Sequence, residues 1–149
     1  MKTNLIIINN EKCIKKGNDF YCENIEVKSI TELLSRSFNI KLILRKAIIN
    51  PIHKINNSEI IISSNIFFFI KHLMNSIFQN KANYLIISVT PYTFLSFLLL
   101  FLFKKKIFLY LRSDGKKEIS IIFGKKLSII YKIIENVMVK FSNLIVVND

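Results

Sequence analysis

Arg112, Ser113, Asp114 and Gly115 follow directly on a five-residue apolar run, 107–111. Each of the four types brings its own chemistry. A guanidinium is a rigid fork of donors that matches a phosphate or carboxylate, and a lysine cannot copy it. A carboxylate accepts a hydrogen bond from a hydroxyl, and within about 3 Å of a reacting oxygen it can act as a base. Glycine lets the backbone turn. Asp-Gly is also ordinary turn chemistry, so the stretch reads equally well as a turn and as the rim of a site. The elements that position it decide between the two.

Much other chemistry cannot be written with these residues. Glycine occurs only at 17, 115 and 124, so neither a GxGxxG fingerprint nor a Walker A loop exists. His53 and His72 have no cysteines or carboxylates at metal-ligand spacing. Cys13 and Cys22 form no CxxC and read as reduced cytosolic thiols. There is no Gly-x-Ser-x-Gly elbow. No cofactor and no metal are expected, nor catalysis by this chain alone.

The 149 residues make one domain, half of them apolar, with 22 basic against 10 acidic groups and a net charge of +12. That balance suits an anionic partner. Nineteen of the 22 basic residues are lysines, spread through an Asn- and Ile-rich chain as AT-rich coding would spread them. Arg36, Arg45 and Arg112 therefore carry more information each. A nucleic-acid site calls for clustered arginines with aromatics among them. Here the lysines are scattered and the thirteen phenylalanines sit mostly inside apolar runs, so no nucleic-acid partner is expected. The N-terminal apolar run is too short for a secretory signal.

Stepping along the chain, short β-branched runs alternate with helical periodicity. Strands are expected at 4–8, 40–45, 59–63, 84–88, 107–111 and 143–147. A short helix is expected at 29–38, where Ser29 and Glu32 form a capping box. A second helix is expected at 65–80 with Asn65 and Asn80 as caps, and a long one at 118–141 with the stripe Phe123, Leu127, Ile130, Ile134, Val137, Phe141. Residues 46–58 read as a loop around Pro51. Residues 9–28 show no clean period and read as a long loop, with room for a short strand around Phe20 to Val27. Strands apolar on both faces and separated by helices predict an α/β fold, a Rossmann-like parallel sheet with helices on both faces.

Residues 84–103 are twenty in a row without a charge, about the length of a membrane span. Pro91 sits inside the run, and Val89-Thr90-Pro91 looks like a strand ending in a turn. Basic residues flank both ends, which gives little asymmetry to orient a span. The reading adopted is a strand followed by a helix, 92–103, that is buried or touches lipid; a transmembrane helix is the alternative. In such sheets ligands bind beyond the carboxyl ends of the strands. Those ends carry Asn9 and Asn10, Arg45 and Lys46, Ser63 and Ser64, Thr90, Arg112 to Gly115, and Asn148 and Asp149.

The order from residue 59 onward is a strand, "SVTP" and an apolar helix, then "KKKIFLYLRSDG", a long helix and "SNLIVVND". It resembles the N-terminal, acceptor-side half of a GT-B glycosyltransferase of the family 4-like kind. The resemblance implies transfer of a sugar from a nucleotide-sugar donor to a glycan or lipid-linked acceptor in cell-envelope polysaccharide synthesis. It implies Asp114 as the catalytic base and Arg112, Ser113, Gly115, Thr90 and Asn10 as acceptor contacts. Lys104 to Lys106 follow the apolar helix, with Lys116, Lys117, Lys125 and Lys126 close by in sequence. This predicts peripheral attachment to the inner face of the cell membrane, which suits a lipid-linked acceptor and makes an anionic membrane surface the second partner. The family's Gly-Gly loop after the first strand is absent, as are the histidine of the fifth loop and the donor-binding half with its paired glutamates. The expectation is therefore a truncated or partial chain, or one half of a split enzyme. The rival reading is a membrane-anchoring subunit that recruits a separate catalytic chain.

Overall fold

Leu5, Ile6, Ile7 and Ile8 are all buried, with Ile6 and Ile8 in the core on one face of a sheet and Leu5 and Ile7 in the core on the other. Successive strand residues point to opposite faces, so an unbroken apolar run belongs to a strand covered on both sides. This computed structural model describes residues 2–48, 51–56, 58–79, 81–111, 119–122 and 124–147. Within them the strands are β1 (Thr3–Lys16), β2 (Asp19–Cys22), β3 (Phe38–Lys46), β4 (His53–Ile55), β5 (Glu59–Ser63), β6 (Asn83–Ile87), β7 (Ile107–Leu111) and β8 (Leu144–Val147). The helices are α1 (Ile25–Leu34), α2 (Ile66–Gln79), α3 (Pro91–Leu102) and α4 (Lys125–Phe141), with a further helical turn at 119–122.

Six strands lie parallel in the order β5-β3-β1-β6-β7-β8. Counted in chain order this is 3-2-1-4-5-6, the doubly wound arrangement of a Rossmann-like fold. The chain first moves outward from β1 through β3 to β5, then returns and moves the other way through β6, β7 and β8. Right-handed crossovers put the connections of the two halves on opposite faces. Accordingly α1 covers one face, where Val27 joins Leu5, Ile7, Leu42 and Leu44. The other face takes α2, α3 and α4, through Phe69, Leu73, Ile77, Phe97, Leu100 and Met138. Each fully buried Leu, Ile or Phe contributes on the order of 1.5–3 kcal/mol. The apolar run 84–103 divides between β6 and the twelve-residue α3. Among the described residues no helix is long and apolar enough to cross a membrane.

The largest departure from expectation lies in residues 9–28, which are not a loop. β1 runs for fourteen residues; its pairing with β3 shifts register between Ile8 and Lys12, and its second half pairs antiparallel with β2. The bulge breaks the alternation that the sequence reading sought. Lys16 pairs with Asp19, leaving a two-residue loop whose first member, Gly17, has φ +59°. Glycine at that position is what a tight hairpin turn demands. β4, inside the expected loop 46–58, adds antiparallel to β2, so the sheet is mixed rather than purely parallel. α1 starts at Ile25 instead of Ser29, because Asn24 caps it by accepting the Glu26 N–H at 2.7 Å. The Ser29–Glu32 box falls inside the helix.

The long helix expected at 118–141 is interrupted at Gly124, which sits at φ +85°. α4 therefore starts in a new phase. It buries Ser128 and Met138 and half-buries Tyr131 and Ile134, while Leu127, Ile130 and Phe141 of the expected stripe are exposed. Phe123 lies outside the described residues, as does Asn80. Asn65 does cap α2, accepting the Phe68 N–H at 3.1 Å. At the far edge β8 leaves Leu144 and Val146 about half exposed.

Cys13 and Cys22 face each other across β1 and β2, both fully buried and both free thiols. Burial, with Cys22 close by, pushes Cys13 from 9.0 up to about 12, and burial with Glu11 nearby pushes Cys22 up to about 11. The folded protein then holds both protons at a pH where the unfolded chain releases them. Stability is full below about pH 9 and declines from there toward 11–12, since the native state binds more protons. Two outcomes are expected. Both thiols resist Ellman's reagent at pH 8 until denaturant is added, and the urea midpoint falls above pH 9 less steeply in a Cys13→Ala/Cys22→Ala variant.

Candidate functional site

β1 and β6 are adjacent, yet the chain leaves them toward opposite ends of the sheet. Their connections part at this switch point, and in sheets of this order ligands bind beyond the carboxyl ends there. On the face covered by α2, α3 and α4, the Arg45 side chain at the end of β3 is half-buried. Its Nη1 donates to Asn10 Oδ1 at 3.0 Å, and its guanidinium carbon lies 4.6 Å from the centre of the Tyr92 ring. Tyr92 is itself held edge-on against Phe69 of α2, with centroids 5.3 Å apart. Arg45 and Ser63 are register partners of parallel strands, so their side chains leave the sheet on the same face. No carboxylate pairs with Arg45 among the described residues.

A buried polar group borders this corner. Ser63 is 1 % exposed and its hydroxyl has no partner among the described residues. Leaving such a group unsatisfied costs about 1–3 kcal/mol. Asn9, whose register partner Ile87 belongs to the core on the other face of the sheet, is 3 % exposed; its Oδ1 accepts the Glu11 N–H at 3.0 Å, shaping the bulge, and its Nδ2 has no partner among the described residues.

The turn from β6 into α3 is wound tightly. Ser88 stands at φ +65°, with its N–H donating to Tyr110 O at 2.9 Å. The Thr93 hydroxyl donates to Ser88 O at 2.9 Å and accepts the Thr90 N–H at 2.8 Å, while Thr90 Oγ1 accepts the Thr93 N–H at 3.2 Å. This is a reciprocal cap with Pro91 in the first turn. The Thr90 hydroxyl, expected as an acceptor contact, is thus engaged in capping α3. Asn10, the other expected contact within reach, is at the switch point and is engaged with Arg45.

Arg112, Ser113, Asp114 and Gly115 lie outside the described residues; β7 leads to them, ending at the buried Leu111. Sequence reasoning placed Arg45 and Ser63 at strand ends but did not connect them, and it passed over Tyr92 and Ser88. The available signal was the scarcity of arginine together with an aromatic directly after Thr90-Pro91. Concavities open at the opposite, amino edge of the strands. One of about 130 Å³ lies between β1 and β3, one of about 700 Å³ is lined by Lys2, Arg36 and Glu59, and one of about 520 Å³ is lined by Phe101, Lys104, Ile107 and Phe141. Among the described residues no His, Cys, Asp or Glu groups assemble as metal ligands. No protein-family description, curated protein or solved structure matches this chain.

A serine in the left-handed region costs about 1–2 kcal/mol, and a β-branched residue costs more. Ser88→Gly should therefore keep the urea midpoint at or above that of the parent. Ser88→Val should lower stability by about 2 kcal/mol or more, with circular dichroism still native. Equal stability of the two variants would show that the turn is not under this constraint.

Proposed function

We propose that this chain is the acceptor-binding half of a glycosyltransferase, which moves a sugar from a nucleotide-sugar donor to a glycan or lipid-linked acceptor. The observation that carries the reading is the switch point of the 3-2-1-4-5-6 sheet, with Asn10, Arg45 and Ser63 together at the carboxyl ends beside it. These are the groups that hold hydroxyls and an anion. In this reading Arg112 and Ser113, following β7, hold the acceptor, and Gly115 lets the chain turn beside it. Asp114 accepts the proton of the attacking hydroxyl. The donor is held by a domain or chain other than this one.

The helix layer supports placement at a membrane surface. α3 and α4 pack side by side, with the Phe101 and Phe141 rings 5.2 Å apart. Outward they expose Leu95, Leu98, Phe101 and Leu102 on α3, and Leu127, Ile130, Ile133 and Phe141 on α4. Helices that connect parallel strands run antiparallel to them. Lys104 to Lys106 therefore lie at one end of this layer, and Lys125 and Lys126 at the other. A bilayer lying along the layer meets apolar side chains in the middle and lysines at both ends. We infer peripheral attachment to the cytoplasmic face, with the anionic headgroups as partner. The same surface supports the second reading, a membrane-anchoring subunit that recruits a catalytic chain.

Binding separates the two. The acceptor-half reading expects the purified chain to retain a short-chain prenyl diphosphate-linked sugar in equilibrium dialysis and to ignore nucleotide sugars. Arg112→Lys should weaken that retention about tenfold, and Asp114→Asn should leave it nearly unchanged while abolishing transfer in the assembled enzyme. Retention of nucleotide sugars alone, or of neither ligand, overturns the reading. For the membrane, sedimentation with phosphatidylglycerol vesicles should show binding that high salt releases. Replacing Lys104, Lys105 and Lys106 with Gln should weaken it roughly a hundredfold, at about 1 kcal/mol per lysine. Equal binding to purely zwitterionic vesicles would contradict the electrostatic part.

A further inference from the structure

We propose that the Arg45 corner beside the switch point is a phosphate-binding site. The proposal deepens the acceptor-half reading and rests on it for the identity of the molecule that carries the phosphate; the site itself is argued from geometry.

Arg45 is one of three arginines in the chain; of the two among the described residues, Arg36 is exposed, while Arg45 is held by neighbouring side chains. The Tyr92 ring lies against its guanidinium, 4.6 Å from ring centre to guanidinium carbon, and Asn10 holds one of its nitrogens. A guanidinium has five N–H donors, and Asn10 takes only one. No carboxylate neutralises the charge among the described residues. A stacked, half-buried cation without a counter-charge is a prepared anion receptor, because the entropy of ordering the side chain is spent before the ligand arrives.

The neighbouring groups point to the same ligand. Ser63, adjacent in register, is 1 % exposed, and its buried hydroxyl has no partner among the described residues. α2 begins three residues later, with Asn65 capping Phe68 and the first-turn N–H groups directed toward the carboxyl edge. A fourteen-residue helix carries partial positive charge at that end. Donors thus come from a flat guanidinium, from the next strand and from a helix terminus, in more than one plane. That disposition suits a tetrahedral phosphate better than a planar carboxylate.

The test is titration calorimetry of the full chain with inorganic phosphate and with acetate at fixed ionic strength. Phosphate should bind at least ~10-fold more tightly than acetate, and Arg45→Lys should weaken it by ~10-fold. Ser63→Ala should weaken it by ~3- to 10-fold while raising the ligand-free melting temperature, since it removes a buried hydroxyl without a partner. A merely structural serine would not move both quantities in these directions. Lys2→Gln/Lys81→Gln, at the far, amino edge, should leave phosphate affinity unchanged. Phosphate affinity untouched by Ser63→Ala, or reduced equally by the Lys2/Lys81 variant, overturns the site in favour of diffuse basic charge. Should Arg45→Lys fail to fold, Ser63→Ala decides alone. Phosphate binding that survives these controls, with no retention of the prenyl-linked sugar, leaves the site standing and removes the acceptor reading.

Discussion

The pairing of β1 on both sides, with β3 and with β6, is the constraint on which the rest depends. Ile7 and Ile8 are fully buried, one on each face, and the backbone between Leu5 and Ile8 is laddered on both edges. A strand in that position cannot slip by one residue without turning every side chain to the wrong layer. The two halves of the sheet are thereby locked in register. Because the halves wind in opposite directions from this strand, the switch point lies at its carboxyl end, where the bulge at Asn9 to Glu11 falls.

The same strand shows why the sequence was partly legible. Runs such as 59–63 and 107–111 became strands at the expected positions, since β-branched and aromatic residues bounded by polar ones leave little choice. Residues 9–28 were unreadable as a period because the bulge shifts the phase, although Gly17-Asn18 is itself a hairpin signal. α4 shows the same failure in a helix. The stripe extrapolated through Gly124 is only partly right: Ile134 and Val137 pack against the core, while Leu127, Ile130 and Phe141 are exposed and Ser128 and Met138 take the buried positions. In both places a single residue disturbs the period, and a window that spans it blurs which face is buried. Of the candidate site, strand order made the edge visible, while the meeting of Arg45 with Tyr92 depends on packing of α3 that no local pattern contains.

The carboxyl edge of the sheet departs from local folding rules at several points. Ser88 occupies backbone space that suits glycine, and Ser63 and Asn9 bury polar atoms without partners among the described residues. Such departures are not confined to it: Thr31 in α1 also buries a hydroxyl without a partner among the described residues, and Lys104 stands at φ +51°. Asn24, Asn65 and Thr90 cap their helices, and apolar side chains fill both layers.

The two ends of the sheet are not equivalent. At β5 the outermost strand carries Glu59, tied to Lys41 at 2.8 Å, and an ion pair at a rim discourages another strand from adding. β8 pairs only with β7 among the described residues; its sequence is Leu-Ile-Val-Val, without charge or proline, and Leu144 and Val146 are about half exposed. Such a rim is a template for backbone hydrogen bonding. Growth of this sheet is therefore polar: it can be extended past β8 but not readily past β5. Two copies meeting there would join antiparallel about a two-fold axis into one continuous sheet, with both switch points left open.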